Sequence, residues 1–346
     1  MAQSEQEILA LKEIQKPILT PELFERNRKF ENIFIPCALR LRDKVFTSRQ
    51  NSFARFVHYT SAEAALKIIT QKRLWMRNTS CMVDYREVEH GFNVLHKFFC
   101  DKAKFDSFTS VLNNIAAGAA DEAIGNFNKW WQMGLIKFQT FIASVSEHLE
   151  QEDIHGRLSM WRAAGGNTPR VAIVFKVPSK SDAPMVLNLQ FSPVAYLTDQ
   201  EAGLLVPEVI QNVIQNELFL KTAERQEIVN WIFHMLLWGV ICIKHEGFHE
   251  EREWRVVHCP LIFQSSLITG STEMVGGMPQ FIYKLPLDRT VAPRLDDLDI
   301  SQIFDRLIIG PTPYPAVMFD AFLRVLREAG IADADKKIFV SHIPIR

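Results

Sequence analysis

The sequence predicts a mixed fold, α+β or α/β around one central sheet, taken forward as α+β with a central mixed or antiparallel sheet flanked by helices. Three observations predict it. Residues 53–59 (FARFVHY) alternate with the period of a strand and run straight into a helix-start signal. Residues 171–177 (VAIVFKV) form a continuous apolar run of the kind found in strands buried on both faces. The last part of the chain reads strand, helix, strand: DRLIIGP, AVMFDAFLRVLREAG, KIFVSH. Strands and helices separated in this way pack as layers on one sheet.

In chain order, residues 1–50 read as a helical extension ahead of a single α+β domain over 51–346. Ile8, Leu9 and Leu11 mark a short apolar stripe, Thr20-Pro21 opens a helix with Pro at its first position, and Phe24, Phe30 and Phe34 follow. Arg40, Arg42, Lys44, Arg49 and Arg55 make a modest basic run, read as a solvated face. The strand at 53–59 leaves His58 just before a helix N-terminus, where free N–H groups attract negative charge. Thr60 and Glu63 form the capping box of that helix, with Thr60 as its N-cap. A short strand at 74–76 precedes a second capping box, Asp84 with Glu87, and a helix whose Val88, Phe92, Leu95 and Phe99 form a core stripe. Residues 107–137 are helical, with Trp130-Trp131 as packing. The strand at 141–146 puts Ile142, Ser144 and Ser146 on one side. A polar loop, a short helical turn at Met160-Trp161 ended by Gly165-Gly166-Asn167, a short strand at 194–196 and a long helical region over 207–244 complete the middle.

That region leads into EEREWRVVH, residues 250–258. As a strand it sets Glu251, Glu253, Arg255 and Val257 on one face, with Arg252, Trp254, Val256 and His258 on the other. Flanking apolar residues mark it as half-buried at least, so its charges need partners or a ligand. Two readings stand side by side. Arg255 neutralises Glu253 as a structural pair, or the carboxylate orients a sugar hydroxyl and stabilises developing positive charge, as in glycosyl transfer.

Composition bounds the rest. With 346 residues, 47% of them hydrophobic, the chain buries a large core. Its 39 basic and 40 acidic residues exclude the bulk charge of a dedicated DNA binder. Five cysteines without a CxxC pair point to reduced thiols in the cytoplasm, not to a disulfide framework or a thiolate zinc site. The N-terminus lacks the basic start and apolar block of a signal peptide. The most apolar run, 231–243, is shorter than the roughly 20 residues needed to cross a bilayer, so no membrane partner is expected. His245-Glu246-Gly247-Phe248-His249 matches H-E-x-x-H, in which two His bind zinc. Gly247 weakens a helix there by about 1 kcal/mol and nothing fixes His258 or Glu273 as a third ligand, so a polar turn is the expectation and no metal is assigned. P-loop, dinucleotide GxGxxG and GxSxG motifs are absent.

HYTSAEAALKII (58–69), MVDYREVEHG (82–91), SVSE (144–147), MWRAAGG (160–166), VAIVF (171–175), EREWRVV (251–257), LIIGP (307–311) and VSHIPIR (340–346) occur in the order of a known family. Over residues 53–346 the chain resembles the bacterial domain of unknown function 2971 family. Its layout is similar to that of ADP-ribosyltransferases, which implies an ADP-ribosyltransferase-like core and NAD as substrate, with no other cofactor. On that resemblance His58, with Tyr59 and Thr60 beside it, contacts the NAD ribose. Ser144 or Ser146 supports the site, Trp161 lies near it, and Arg255 flanks the carboxylates. Glu253 orients the nicotinamide ribose and stabilises an oxocarbenium-like transition state, and Glu251 acts on a protein or nucleic-acid acceptor. Val83 and Ala164 depart from the family pattern. Three functions follow for test: an NAD-utilising ADP-ribosyltransferase or NAD glycohydrolase; a non-catalytic module binding a small nucleotide or peptide; and a zinc hydrolase using His245 and His249.

Overall fold

The computed structural model describes residues 20–47, 53–81, 86–163, 168–262 and 264–344. Val83, Ala164 and the Asp84 half of the second capping box lie outside the described residues, as does the side chain of Glu87.

Two helices come first, α1 (Pro21–Phe34) and α2 (Pro36–Thr47). Thr20 caps α1 by accepting from the Leu23 N–H at 3.2 Å, with Pro21 in the first turn where no hydrogen bond is lost. Strand β1 (Phe53–Ser61) follows, then α3 (Ala62–Gln71) and β2 (Arg73–Asn78). The cap of α3 is Ser61, whose hydroxyl accepts from the Ala64 N–H at 3.2 Å, and not Thr60 as the sequence suggested. Pairing with β4 continues through Thr60↔Val171 to Ser61↔Arg170 and keeps Thr60 extended, so the strand runs beyond the expected boundary.

Helices α4 (Arg86–Phe99), α5 (Lys102–Ile115) and α6 (Ala119–Gln132) form a helical layer before β3 (Phe141–Glu147), β4 (Arg170–Pro178), β5 (Gln190–Pro193) and β6 (Ala195–Leu197). The long helical region resolves into α7 (Leu205–Gln215), a short turn of helix and α8 (Arg225–Ile241), followed by β7 (Ile243–His245) and β8 (Glu253–His258). The last two turns of α8, Met235 to Ile241, are buried on every side, which is why that stretch is apolar throughout instead of striped. It meets α4 so closely that a Cβ at Gly91 would lie 2.5 Å from the Val240 carbonyl oxygen. The chain ends with the hairpin β9 (Thr269–Val275) and β10 (Met278–Pro286), then β11 (Phe304–Ile309), α9 (Pro315–Glu328) and β12 (Ile338–Val340).

The strands join in the order β12-β11-β4-β1-β3-β2-β10-β9, with β8 on the other edge of β3 and β5 beyond β8. All of these pairs are antiparallel except β11–β12, so the sheet is mixed and mostly antiparallel, and the class is α+β. One feature of the order matters for the site. Strands β1 and β2 share a single edge of β3: β1 pairs at its C-terminal end (Val57↔Ser146) and β2 at its N-terminal end (Arg77↔Ile142). The sheet therefore forks there.

Alternation along β3 and β8 divides the interior. Ile142 and Val257 enter the core around α4–α8, whereas Phe141, Ala143 and Val256 enter a second core with α3, β10 and α9. Ser144, Ser146, Glu253 and Arg255 share the first face, because the register sets Ser144 opposite Arg255 and Ser146 opposite Glu253.

Candidate functional site

At the fork, the ring of His58 spans the space between the strands. Its Nδ1 lies 2.9 Å from the Ser144 carbonyl oxygen, so it donates to a backbone group that neither β1 nor β2 reaches. Burial pulls the imidazole pKa below its ordinary value, opposed by the Ser144 bond and helped by nearby Arg77, which keeps the ring neutral at pH 7. Arg77 is itself engaged, donating from Nε to Gln280 Oε1 at 3.0 Å and from Nη2 to the Cys81 carbonyl at 2.8 Å.

The carboxylate of Glu253 is 5% exposed and held on both oxygens. Arg255 grips it as a fork, Nε to Oε1 at 2.9 Å and Nη2 to Oε2 at 3.0 Å, and Lys244 Nζ lies 2.9 Å from Oε2. Burial alone would raise its pKa, but Arg255 and Lys244 outweigh that and bring it down to about 2. The cluster is closed by further bonds. Arg255 Nη1 donates to the Ile241 carbonyl, Lys244 reaches Glu251 Oε2 at 2.5 Å, and the Glu253 N–H donates to Tyr196 Oη at 2.8 Å. The Ser144 hydroxyl lies close enough to favour the Glu253 carboxylate but makes no hydrogen bond of good geometry. Two cations and two carboxylates meet in one buried knot.

The charged row is shorter than the alternation suggested. Glu251 lies in a 3-10 turn (Glu246–Glu251), and Arg252 at φ 45° turns the backbone before β8 begins at Glu253. Its carboxylate still converges with that of Glu253, through their shared partner Lys244 and not through a common strand.

Tyr59 and Trp161 belong to an adjoining cluster, edge to face with centroids 4.8 Å apart. Tyr59 Oη accepts from the Arg157 N–H at 2.8 Å, and Trp161 Nε1 donates to the His155 carbonyl at 2.8 Å. A Cβ at Gly310 would lie 2.9 Å from the Trp161 ring, so the glycine of LIIGP makes room for the indole of MWRAAGG. Arg157 is the residue the sequence analysis passed over. Its buried guanidinium donates to Glu152 Oε1 at 3.0 Å, to the carbonyls of Glu250 and Glu251 at 2.7 and 2.9 Å, and to that of Glu147 at 2.9 Å. It ties the end of β3 to the approach of β8. The signal was an Arg among four acidic residues in a loop otherwise read as merely polar.

His245 ends β7 and caps the 3-10 turn that carries His249, and each has Nδ1 engaged locally, His245 with the Gly247 N–H at 3.1 Å and His249 with the Glu246 carbonyl at 3.0 Å. Among the described residues no three His, Cys, Asp or Glu side chains gather in a way that would hold a metal ion. Burial pushes the thiols of Cys242 and Cys259 up to about 12. No helix among the described residues is long and apolar enough to cross a membrane.

A groove of about 900 Å³ opens on the opposite face of the sheet. Phe56, Val145 and Val256 form its floor; they alternate with the residues facing the buried knot and so point away from it. Helices α1 and α2 form the roof with Phe24, Ala38 and Phe46, and α8 contributes Trp231, His234 and Trp238. Neither His58 nor Glu253 lines this space. Two ion pairs tie α1 to α2 at the rim, Arg28–Asp43 at 2.6 Å and Arg42–Glu31. Three members of the basic run are paired, Arg42 here, Arg40 with Glu208, and Arg55 with Asp153 and Asp305, and Arg49 lies outside the described residues. The sequence hinted at the groove only through the number of aromatic residues on α1 and α2, more than a free extension would carry.

Residues 160–256 match the family model described as protein of unknown function (DUF2971), which supports the family resemblance over the stretch from Met160-Trp161 through VAIVF to EREWRV. No curated protein and no solved structure matches the chain. The further likeness to ADP-ribosyltransferases finds no support in the family match.

Proposed function

We propose that this chain is a non-catalytic binding module of the cytoplasm that holds a small molecule between its first two helices and the sheet. The observation that carries this reading is the groove. Its volume of about 900 Å³ falls within the range of small-molecule sites, roughly 300–1,000 Å³, and it has their character: an apolar, aromatic interior with a few polar groups. The buried knot supports the same reading. A Glu253 that oriented a ribose would first have to be uncovered, since it is buried with Arg255 and Lys244 bonded to its carboxylate. The experiment is a titration of the purified full chain with the neutral fluorophore Nile red, followed by emission. Saturable binding in the wild type, lost in Ala38→Trp where an indole fills the groove, is the expected result. Equal binding by both proteins would remove the reading.

A second reading, an NAD-utilising ADP-ribosyltransferase or glycohydrolase, is favoured by one observation. His58, Ser144 and Glu253 stand on the neighbouring strands β1, β3 and β8. Incubation with labelled NAD tests it: ADP-ribose or a labelled macromolecule from the wild type, and none from a folded Glu253→Gln variant, would make this the better account.

A further inference from the structure

We infer that the exposed edge of β9 is a dimerisation surface, on which a second copy of this chain pairs its own β9 antiparallel about Thr272. The groove plays no part in this inference.

The sheet ends in three strands. β5 closes on Pro193 after four residues and β12 spans only three, both ordinary ways of blunting an edge. β9 is different. It runs for seven residues, TGSTEMV, without a Pro, Lys or Arg, and among the described residues it pairs with β10 alone. Its single charge, Glu273, is already held by Lys284 at 2.6 Å and Lys67 at 3.3 Å. An edge of this length with no unpaired charge is a template for another strand.

Register tells which groups face outward. Gly276 and Gly277, at φ 60° and 80°, make a two-residue turn, so Val275 and Met278 are the hydrogen-bonded pair that closes the hairpin. Hydrogen bonding then alternates along β9. Val275, Glu273, Ser271 and Thr269 bond to β10, whereas Met274, Thr272 and Gly270 point their N–H and C=O groups away from it. Pro279 fits this pattern, since it lies opposite Met274 and has no N–H to give. The outward set is therefore three N–H and three C=O groups, symmetric about Thr272.

That symmetry selects a second copy over an unrelated strand. With the pairing centred on Thr272, this residue meets its own counterpart and Gly270 meets the partner's Met274, so every outward group on both edges is bonded. Side chains match in the same register. Phe281 lies opposite Thr272 and so shares the face of Gly270, Thr272 and Met274. Met274 and Phe281 are 48% and 50% exposed, and Phe281 lies across Gly270, where a Cβ would come within 2.4 Å of its ring. The partner's Met274, arriving opposite Gly270, sets its thioether against that ring in a favourable sulfur–aromatic contact and covers both side chains. Glu273 faces the partner's Ser271, so no like charges oppose one another. Two such edges use each other up, and pairing stops at two chains.

The test is sedimentation equilibrium of the full chain over a concentration series. A contact of seven residues a side, against the roughly 20–30 of a standard interface, makes a weak dimer, so a shift from one chain's mass toward two is expected at about 10–100 µM. Thr272→Lys puts two ammonium groups face to face on the two-fold axis and is expected to weaken the dimer by at least about tenfold, with the circular dichroism spectrum unchanged because position 272 is exposed. Thr272→Val is expected to keep it. A second readout is covalent. With the exposed native thiol removed by Cys100→Ser, Thr272→Cys is expected to cross-link two chains in oxidised glutathione, because hydrogen-bonded opposite residues lie about 5.5 Å apart at Cα, within disulfide reach. A dimer that survives Thr272→Lys, a Thr272→Cys chain that does not cross-link, or assemblies that grow beyond two chains would each overturn the inference. So would a chain that stays monomeric throughout, an outcome that leaves the edge to an extended strand of another protein.

Discussion

Replacing Glu253 by Gln removes one negative charge from the buried knot and keeps its shape. The structure sets the size of the effect. The carboxyl pKa falls from an ordinary 4.5 to about 2 in the folded protein, and each unit is worth about 1.4 kcal/mol, so the ionised carboxylate contributes about 3 kcal/mol at neutral pH. That figure agrees with the roughly 3–5 kcal/mol seen when one partner of a buried ion pair is removed. Its sign follows from linkage. Because the folded pKa lies below the unfolded one, the contribution is fully present above about pH 5 and is lost as the pH falls toward 2. Urea unfolding followed by tryptophan fluorescence at pH 7 should show a clearly lower midpoint for the variant at unchanged slope. Between pH 5 and 3 the wild type should lose stability faster than the variant. A variant as stable as the wild type at pH 7 would refute the reasoning, because Arg255 and Lys244 would then not depend on this carboxylate.

Three further outcomes follow from single contacts. Gly91→Ala puts a Cβ against the Val240 and Gly239 carbonyls and should cost about 3 kcal/mol by forcing α4 from α8, read as a lower melting temperature; an unchanged value would mean that the helices part freely. Arg157→Leu leaves Glu152 with Arg252 as its remaining cation and frees three carbonyls, for a loss of about 3 kcal/mol in the same urea assay. His258 is buried and neutral, with its pKa pulled down to about 4 by burial. The unfolded chain takes up this proton below about pH 6.5 while the folded chain resists until about 4, so stability should fall as the pH drops from 7 to 4, and His258→Phe should flatten that part of the profile.

The amino-acid order by itself determined the local elements. Period-two alternation marks β1, a continuous apolar run marks β4, and the strand-helix-strand ending is present as β11, α9 and β12, because backbone periodicity and burial are read within a few residues. It also brought Glu253 and Arg255 to one face, since residues two apart on a strand always share one. Whether that pair was a structural bond or a working site was not legible, because Lys244, Ile241 and Tyr196, which complete the knot, come from elements that only the fold brings alongside. The same limit hid the cap at Ser61, the turn at Arg252 and the bridge made by Arg157. Tertiary structure alone decided that β1 and β2 share one edge of β3 and that α1 and α2 roof a groove on the far side of the sheet from Glu253. Alternation assigns each residue to a face, but what that face meets depends on contacts between residues far apart in the chain.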